Sequence, residues 1–185
     1  KLNLVALDGY RLALKSEFLD NENVINAVIP GKTLNEVSKI LSDDNENVNI
    51  TFTPNHILFN LINTKVISRL LQGEFIKYNS IIPEEYSLKV IARKSELLNC
   101  IERASLMAKD SNTNLIKLKI ELNIILEGDA LQIAFNSKYL IDVLKIMEDE
   151  EIIMEFSGSV SPCIIKNSKK DNCIYLVLPV RLSNN

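Results

Sequence analysis

The hydrophobic residues of this chain alternate with polar residues in some stretches and follow a helical spacing in others. Alternation is typical of strands with one buried face and one solvated face, and it favours antiparallel sheets. The alternating stretches have their apolar positions at Val48, Ile50 and Phe52; Ile57, Phe59 and Leu61; Ile116, Leu118 and Ile120; Leu131, Ile133 and Phe135; Ile152, Met154 and Phe156; and Ile174, Leu176 and Leu178.

Further stretches place apolar residues three and four positions apart, which is the spacing of one helix face. The residues that share each predicted face are Leu34, Val37, Ile40 and Leu41; Leu97, Ile101, Ala104 and Ala108; and Leu140, Val143, Leu144 and Met147. Helices that alternate with antiparallel strands predict an α+β fold.

The first and third predicted helices belong to an internal repeat. Aligning residues 32–41 with residues 138–147 superposes their apolar positions, and a small shift in the acidic turn places residues 48–52 on residues 152–156. Each copy is then a helix, an acidic turn and two strands, which predicts two related α+β units joined by the polar segment 75–87. The alternative is a coincidence between two common patterns.

The two copies are unequal in extent. The first begins within a strand and has no preceding helix, so we expect the chain to be part of a longer protein. In the second, the strand around Ile120 runs into the next strand through residues 121–126 without a turn residue, which an antiparallel sheet cannot accommodate.

The chain has 185 residues, of which 46% are hydrophobic, and a formal net charge of −3. These values predict a packed protein of one large or two small domains. The longest apolar stretch, residues 173–180, is far shorter than the roughly 20 residues of a membrane span. The N-terminal residues predict no secretory signal, and the spacing of Cys100, Cys163 and Cys173 predicts no disulfide framework. We therefore expect a cytoplasmic protein without a membrane partner.

One short motif could bind a phosphate group. Residues 30–33 resemble the end of a phosphate-binding loop, but Asn26 stands where that pattern requires glycine. The motif is more simply the start of a helix. A small hydrolase or kinase that uses Lys32 and Thr33 remains an alternative.

The residues that usually perform catalysis or bind metals are sparse. The single histidine, His56, has no orienting carboxylate beside it in the sequence. The acidic clusters at residues 43–46 and 148–151 lack the glycine and the spacing of a calcium loop. We therefore expect no catalytic residue, no metal and no cofactor.

Binding is the kind of function that remains. Basic residues lie off the apolar helix faces, where they could hold phosphate groups without reading base sequence. These residues are Lys32, Lys39, Arg93, Lys94, Arg103, Lys138 and Lys145. The acidic residues among them are Glu36, Glu96, Glu102 and Asp142. An ordinary solvated helix surface is therefore an equally good interpretation.

Two apolar features also indicate binding partners. Pro179 interrupts the last predicted strand and would leave Leu178 and Val180 available to a partner. At about 100° per residue, Leu106 lies opposite the apolar face of the second helix and Met107 about a quarter-turn away from that face. Large apolar side chains away from the core need a second surface to cover them.

Several blocks of the chain resemble one family, the bacterial sliding clamps (the beta subunit of DNA polymerase III). These blocks are LDGYRLAL (residues 7–14), IPGKTLNEVSKIL (29–41), LLQGEFIKYNSIIP (70–83), LEGDALQIAFNSKYLIDVLK (126–145) and YLVLPVRL (175–182). They follow the order of the family and span nearly the whole chain. The most specific blocks are AFNSKYLIDVLK and LPVRL.

The resemblance implies repeated clamp-type domains, three per subunit, in a head-to-tail homodimer that closes into a ring around duplex DNA. Antiparallel sheets would form the outside and helices would line the hole, together with the basic residues named above. Residues 1–79 would be the C-terminal part of the middle domain, and residues 80–185 a nearly complete C-terminal domain. A turn and strand that family members carry are missing at Glu121 and Leu122, which implies a disordered or excised loop.

The resemblance also implies a non-catalytic processivity factor for DNA replication. Its partners would be duplex DNA, bound non-specifically, the catalytic subunit of DNA polymerase III, the clamp loader and other proteins with a clamp-binding motif. The protein partners would dock short peptides in a groove between the middle and C-terminal domains. The groove residues that the resemblance assigns are Gly9, Tyr10, Arg11, Leu12, Ile76, Ser80, Ile81, Asn136, Tyr139, Val160, Pro162, Leu176, Leu178, Pro179, Val180 and Arg181.

The chain departs from the family at Leu7, where threonine is common, and within residues 75–80, where it lacks the usual proline and arginine. The resemblance further implies that Leu106 and Met107 contact the other subunit in a homodimer of the full-length protein. An unrelated α+β DNA-binding or regulatory module is the alternative to this assignment.

Overall fold

The strands pair in antiparallel fashion and are accompanied by helices. The computed structural model describes residues 1–20, 24–41, 47–108, 114–120, 131–170 and 172–181. Within those residues the elements, in chain order, are β1 (Leu2–Leu7), β2 (Arg11–Glu17), α1 (Gly31–Ile40), β3 (Asn49–Phe52), β4 (His56–Asn60), β5 (Lys65–Arg69), a 3₁₀ turn (Tyr78–Ser80), β6 (Leu88–Arg93), α2 (Lys94–Ala108), β7 (Leu115–Ile120), β8 (Leu131–Asn136), α3 (Ser137–Ile146), β9 (Glu151–Phe156), β10 (Cys163–Asn167) and β11 (Cys173–Val177). The predicted α+β class with antiparallel sheets is confirmed.

The chain divides into two compact units. The smaller unit is Glu22–Lys77, and the larger unit combines Lys1–Asn21 with Tyr78–Asn185. In the smaller unit, strands β3, β4 and β5 form a sheet in that order, and Val37 of α1 packs with Ile57 and Phe59 of β4 to form its core.

The larger unit is built on a six-stranded sheet in the order β1-β2-β11-β10-β9-β6, with a second, two-stranded sheet of β7 and β8. Its main core, which includes Phe135, Leu140 and Phe156, contains buried side chains of α2, α3 and both sheets. A second, smaller cluster consists of buried side chains of β2, β10 and β11, against which Tyr78 and Ile82 pack.

Strand β11 is buried on both faces. Leu176 and Val177 are neighbours in this strand, so their side chains point to opposite faces, and both are buried. Val177 belongs to the main core, whereas Leu176 belongs to the smaller cluster under Tyr78 and Ile82. The prediction of one solvated face was therefore wrong for this strand. The face of Val177, which the alternation predicts to be solvated, packs into the main core, and the face of Leu176 is covered by a segment that is distant in the chain.

The predicted repeat is present in both units. Helix α1 is followed by the antiparallel pair β3 and β4, and helix α3 is followed by the antiparallel pair β9 and β10. In each case the next strand, β5 or β11, extends the sheet from the second strand of the pair.

The apolar helix faces agree with the sequence pattern to different degrees. The face predicted for α3 is confirmed, since Leu140, Val143, Leu144 and Met147 are all buried. For α1, Val37 is buried, but Ile40 and Leu41 are 47% and 43% exposed, so only part of the shared face is covered. A helical pattern shows which residues share a face, but it does not show how much of that face is covered.

In α2, the buried position after Ile101 is Ser105, and the predicted Ala104 is exposed. The Ser105 hydroxyl donates a hydrogen bond to the Glu102 carbonyl at 2.7 Å. Because this bond satisfies the hydroxyl within its own helix, a polar residue can occupy a buried position that the apolar pattern assigns to alanine.

The acidic turn after α3 caps the start of α2. The Glu150 carbonyl accepts a hydrogen bond from the Lys94 N–H at 2.7 Å. The Glu150 carboxylate accepts hydrogen bonds from both the N–H and the hydroxyl of Ser95, and these bonds lower its pKa. In the same region, the Lys94 ammonium donates to the Met147 carbonyl at 2.9 Å. The acidic turn therefore connects the end of α3 to the start of α2.

The other predicted acidic turn, within residues 42–46, lies outside the described residues, and so does the expected loop at Glu121 and Leu122. The cysteines are free thiols, of which Cys100 is exposed and Cys163 and Cys173 are buried. No helix among the described residues combines the length and the apolar content that crossing a membrane requires.

Candidate functional site

A tight turn between β1 and β2 presents two of the predicted groove residues. Gly9 has a φ of +86°, a conformation that glycine adopts without steric penalty. The Asp8 carboxylate accepts hydrogen bonds from the N–H groups of Tyr10 and Arg11 at 3.1 and 2.9 Å. This side-chain-to-backbone turn fixes the hairpin and leaves Tyr10 60% exposed.

The first turn of α3 lies against this hairpin. Asn136 caps the helix, because its side chain accepts a hydrogen bond from the Lys138 N–H at 3.0 Å. Tyr139 follows in the first turn, and its ring stacks on that of Tyr10 with the ring centroids 5.8 Å apart and an interplanar angle of 26°. The sequence separates these tyrosines by most of the chain, and the fold brings them into contact.

The segment after β11 connects the same two regions. The Leu178 N–H donates to the Tyr10 carbonyl at 2.9 Å, and the Val180 N–H donates to the Ala134 carbonyl of β8 at 2.7 Å. Residues 178–181 therefore run from the β1–β2 turn to the strand that precedes α3. Pro179 lies between the two bonds and has no N–H to donate.

A cluster of apolar side chains, which we call the apolar bed, lies beneath the place where the β1–β2 turn, α3 and residues 178–181 meet. Leu12 of β2 lies opposite Leu176 of β11, and Leu176 lies opposite Ile164 of β10. All three are almost fully buried, and Leu178 packs against them. Leu12 and Leu176, both assigned to the groove by resemblance, thus lie under its surface and support it.

Most of the other assigned residues lie at the same end of the sheet. Pro162 directly precedes Cys163, which pairs with Val177 at the end of β11, and Val160 lies in the exposed turn that leads to Pro162. Ser80 and Ile81 lie in the segment between Tyr78 and Ile82, which covers the apolar bed. Arg181 is exposed at the end of the C-terminal segment. Ile76 belongs to the smaller unit.

The groove surface (Tyr10, Arg11, Tyr139 and residues 178–181) contains a charged cluster. Arg11 contacts two carboxylates: its Nε lies 2.8 Å from Asp8 Oδ2 and its Nη1 lies 2.7 Å from Asp142 Oδ2. Partial burial lowers the pKa of Arg11, but hydrogen bonds to Asp142 and Asp8 outweigh it and raise that pKa. Burial likewise raises the pKa of Asp8, but the bonds from Arg11 and from two backbone N–H groups outweigh it and lower that pKa.

Neither carboxylate of this cluster was assigned to the groove from the sequence. Asp142 was grouped with the acidic residues of the helix surface, although it follows Tyr139 by three positions and so lies on the same side of α3. Asp8 precedes Gly9, and aspartate before glycine is a turn signal that could have identified it. The contact between Asp142 and Arg11 joins residues 131 positions apart, which no local pattern reveals.

The basic residues predicted to face DNA are distributed over both units. In the larger unit, a cleft of about 580 Å³ between α2 and α3 is lined by Arg103, Lys138 and Lys145. Lys145 is paired with Glu102 at 2.8 Å, and Arg103 lies 3.3 Å from the Cys100 sulfur. The cleft is thus basic with a compensating carboxylate.

The remaining basic residues have other contacts. Arg93 is paired with Glu96 at 3.4 Å, and the Lys94 ammonium is bonded to the Met147 carbonyl as described above. Lys32 and Lys39 belong to the smaller unit, where Lys39 is paired with Glu36 at 2.9 Å. Through its bond to Met147, Lys94 connects the start of α2 to the end of α3.

The exposed apolar residues of α2 lie where the helical spacing predicts. Leu106 is 61% exposed and Met107 is 86% exposed. Leu106 also lines the cleft between α2 and α3. The interface to which the resemblance assigns both residues stays a prediction.

The residues of the phosphate-loop alternative form a helix start. The Pro30 carbonyl accepts the Thr33 N–H at 2.9 Å, and the Thr33 hydroxyl shares a hydrogen bond of 2.7 Å with Ser68. His56 is exposed at the start of β4. Within the described part of the chain, no group of three or more His, Cys, Asp or Glu side chains is arranged to hold a metal.

Comparison with known proteins identifies the family. The model for the central domain of the DNA polymerase III beta subunit matches residues 1–77, and the model for its C-terminal domain matches residues 119–181. The first match ends where the larger unit resumes at Tyr78. The predicted domain division at residues 79 and 80 stays a prediction, since hairpin β1–β2 lies in the central-domain match but forms part of the larger unit.

Relatives and solved structures agree with this match. The beta sliding clamps of Staphylococcus epidermidis and Staphylococcus aureus are each 36% identical to the chain, over 98% of its length and 54% of theirs. The crystal structure of the DNA polymerase sliding clamp from Bacillus subtilis has a TM-score of 0.90 and 35% identity, over 98% of this chain and 54% of that one. The alignment with the S. epidermidis clamp runs over 202 positions, more than the chain has residues, so that relative carries residues without a counterpart here.

The chain spans about half the length of the curated relatives that it matches. On the two domain matches, the sequence identity and the shared fold, it belongs to the family of the DNA polymerase III beta subunit, the bacterial sliding clamps.

Proposed function

We propose that this chain serves DNA replication as part of a sliding clamp, a processivity factor that encircles duplex DNA as a homodimeric ring in the cytoplasm. It acts by binding and performs no catalysis. The groove surface would hold short peptides of the polymerase III catalytic subunit, the clamp loader and other clamp-binding proteins. The observation that carries this proposal is the convergence of the β1–β2 turn, α3 and residues 178–181 over one apolar bed.

The groove surface suits an extended peptide with apolar anchors. Leu178 and Pro179 are partly buried, and Tyr10 and Val180 are exposed, so apolar area remains for a ligand to cover. Because Leu12 and Leu176 are already buried, the residues that would contact a peptide are Tyr10, Tyr139 and the C-terminal segment 178–181. A few polar groups among apolar walls are typical of such a site.

The basic cleft between α2 and α3 supports the DNA part of the proposal. Arg103, Lys138 and Lys145 would contact phosphate groups, and such contacts carry no base sequence information. Lys145 already pairs with Glu102 at 2.8 Å, so a phosphate contact of Lys145 would replace an existing ion pair. Weak, exchangeable contacts of this kind suit a protein that must move along DNA.

The groove is tested by titrating the chain with a fluorescein-labelled peptide that carries leucine and phenylalanine anchors, followed by fluorescence anisotropy. We expect saturable binding by the natural sequence and about tenfold weaker binding after Leu178→Ala or Tyr139→Ala, because each change removes apolar area worth roughly 1–1.5 kcal/mol. Ile91→Ala is the matched control, since Ile91 is an exposed apolar residue of β6, the far edge strand of the same sheet.

Unchanged affinity in both groove variants would refute the groove assignment. Absence of saturable binding by the natural sequence would favour the alternative of an unrelated DNA-binding or regulatory module. Circular dichroism spectra of the variants separate a lost contact from a lost fold.

A further inference from the structure

We infer that Asp142 is a positioning residue of the groove, which acts by holding Arg11 against Tyr139 and thereby fixing the aromatic pair Tyr10–Tyr139. This inference rests on the proposed peptide-binding function of the groove surface. Asp142 is bonded to Arg11 and is not among the residues assigned to the groove, so its effect on binding would pass through Arg11.

The first step is the connection between α3 and the hairpin. The Asp142 carboxylate lies 2.7 Å from Arg11 Nη1, and the Asp8 carboxylate lies 2.8 Å from Arg11 Nε. The guanidinium group is planar, and its separate N–H donors can bond two carboxylates in fixed directions. The pair with Asp142 therefore connects the β1–β2 turn to α3, and the pair with Asp8, which lies within the turn, fixes the orientation of the guanidinium group.

The second step is the contact with the aromatic pair. Arg11 Cζ lies 4.6 Å from the centroid of the Tyr139 ring, within the range of a cation–π interaction. Tyr139 in turn stacks on Tyr10, whose carbonyl accepts the Leu178 N–H. A change in the position of Arg11 would thus be transmitted to both tyrosines and to the start of the C-terminal segment.

The third step is the charge. Arg11 is one cation between two carboxylates, so its charge is already compensated within the cluster. It would therefore contribute little as a free cation for an acidic ligand group. Its geometry instead suits a structural connector, which is why the residue that orients it matters for binding.

The test is a double-mutant cycle on the intact chain, with the labelled peptide described above as the probe. Asp142→Asn should fold, because the Asp142 side chain is 46% exposed. It should weaken peptide binding about three- to fivefold, which is the upper part of the range for an exposed ion pair. Arg11→Gln should weaken binding at least as much, and Asp142→Asn should have no further effect in the Arg11→Gln background.

Glu17→Gln is the matched control, since Glu17 has a similarly exposed carboxylate in the larger unit, paired with Lys15 at 4.0 Å and bonded to Asn172 at 2.7 Å. It lies at the other end of β2 from Arg11 and should leave peptide affinity unchanged. Arg11→Lys keeps the positive charge but cannot bridge two carboxylates with a planar fork, so it should weaken binding like Asp142→Asn.

The outcomes separate the two proposals. If the natural sequence does not bind the peptide, the proposed function fails and this inference fails with it. If the natural sequence binds but Asp142→Asn and Arg11→Lys bind equally well, the inference alone is overturned. Additive effects of Asp142→Asn and Arg11→Gln would also overturn it, because they would show that Asp142 does not act through Arg11.

Discussion

We predict that Leu176→Ala lowers the stability of the larger unit but leaves peptide affinity nearly unchanged, because Leu176 lies beneath the groove surface. Leu176 is 2% exposed and lies between Leu12 and Ile164, which are each 3% exposed. Truncating a buried leucine typically destabilises a protein by about 2–5 kcal/mol. Because this cluster is small and is covered by the side chains of Tyr78 and Ile82, partial collapse can reduce the cavity, and we expect about 3 kcal/mol.

Tyrosine fluorescence offers an assay that is specific to the larger unit. The chain has no tryptophan and 5 tyrosines, and all of the tyrosines lie in the segments Lys1–Asn21 and Tyr78–Asn185. For a denaturant slope of about 2 kcal/mol per molar urea, a loss of about 3 kcal/mol lowers the unfolding midpoint by about 1.5 M. Ile91→Ala should change the free energy of unfolding by less than about 0.5 kcal/mol.

The same variant should retain peptide affinity within about threefold under conditions where it is folded, since the side chain of Leu176 does not reach the surface. Leu178→Ala should show the opposite balance, with a smaller loss of stability and a larger loss of affinity. An unchanged urea midpoint for Leu176→Ala, or a loss of affinity that exceeds that of Leu178→Ala, would refute the distinction between bed and surface.

Two further predictions concern helix capping and thiol chemistry. Because hydrogen bonds from Ser95 lower the pKa of Glu150, this carboxylate stabilises the fold above its ordinary pKa, and the contribution is lost as the pH falls through the lowered value. Glu150→Gln should therefore lower the thermal midpoint at neutral pH, and a difference that persists unchanged in acid would contradict the capping role. Iodoacetamide should label the exposed Cys100 well before Cys163, since burial raises the pKa of the Cys163 thiol, with a further contribution from Glu155. Peptide mapping by mass spectrometry checks the order, and equal rates in the folded protein would contradict it.

Local patterns predicted the elements whose faces are covered by neighbouring parts of the same repeat. The face of α3 was correct because Leu140, Val143, Leu144 and Met147 all enter one core. The same spacing in α1 gave Ile40 and Leu41, which are exposed. The difference lies in what covers each face, and the amino-acid pattern of a helix carries no information about that cover.

The resemblance identified the residues of the candidate site, but only the structure shows which of them are exposed, which lie beneath the surface and which contact one another. Leu12 and Leu176 were assigned to the groove, but only the pairing of β2 with β11 shows that they lie beneath its surface. Arg11 was assigned as well, whereas its partner Asp142 was attributed to the helix surface. Contacts between residues so far apart in the chain depend on which strands pair in the sheet. The spacing of apolar residues does not predict that pairing.

The hairpin β1–β2 falls within the central-domain match, yet β2 pairs with β11 in the sheet whose strands β9, β10 and β11 lie in the C-terminal match. A protein cut at the boundary near Tyr78 would leave β11 with one unpaired edge, a position that promotes aggregation. It would also lack Tyr10 and Arg11. A piece of this chain that begins at Tyr78 should therefore aggregate and fail to bind the peptide, whereas a piece that retains the hairpin β1–β2 should do neither.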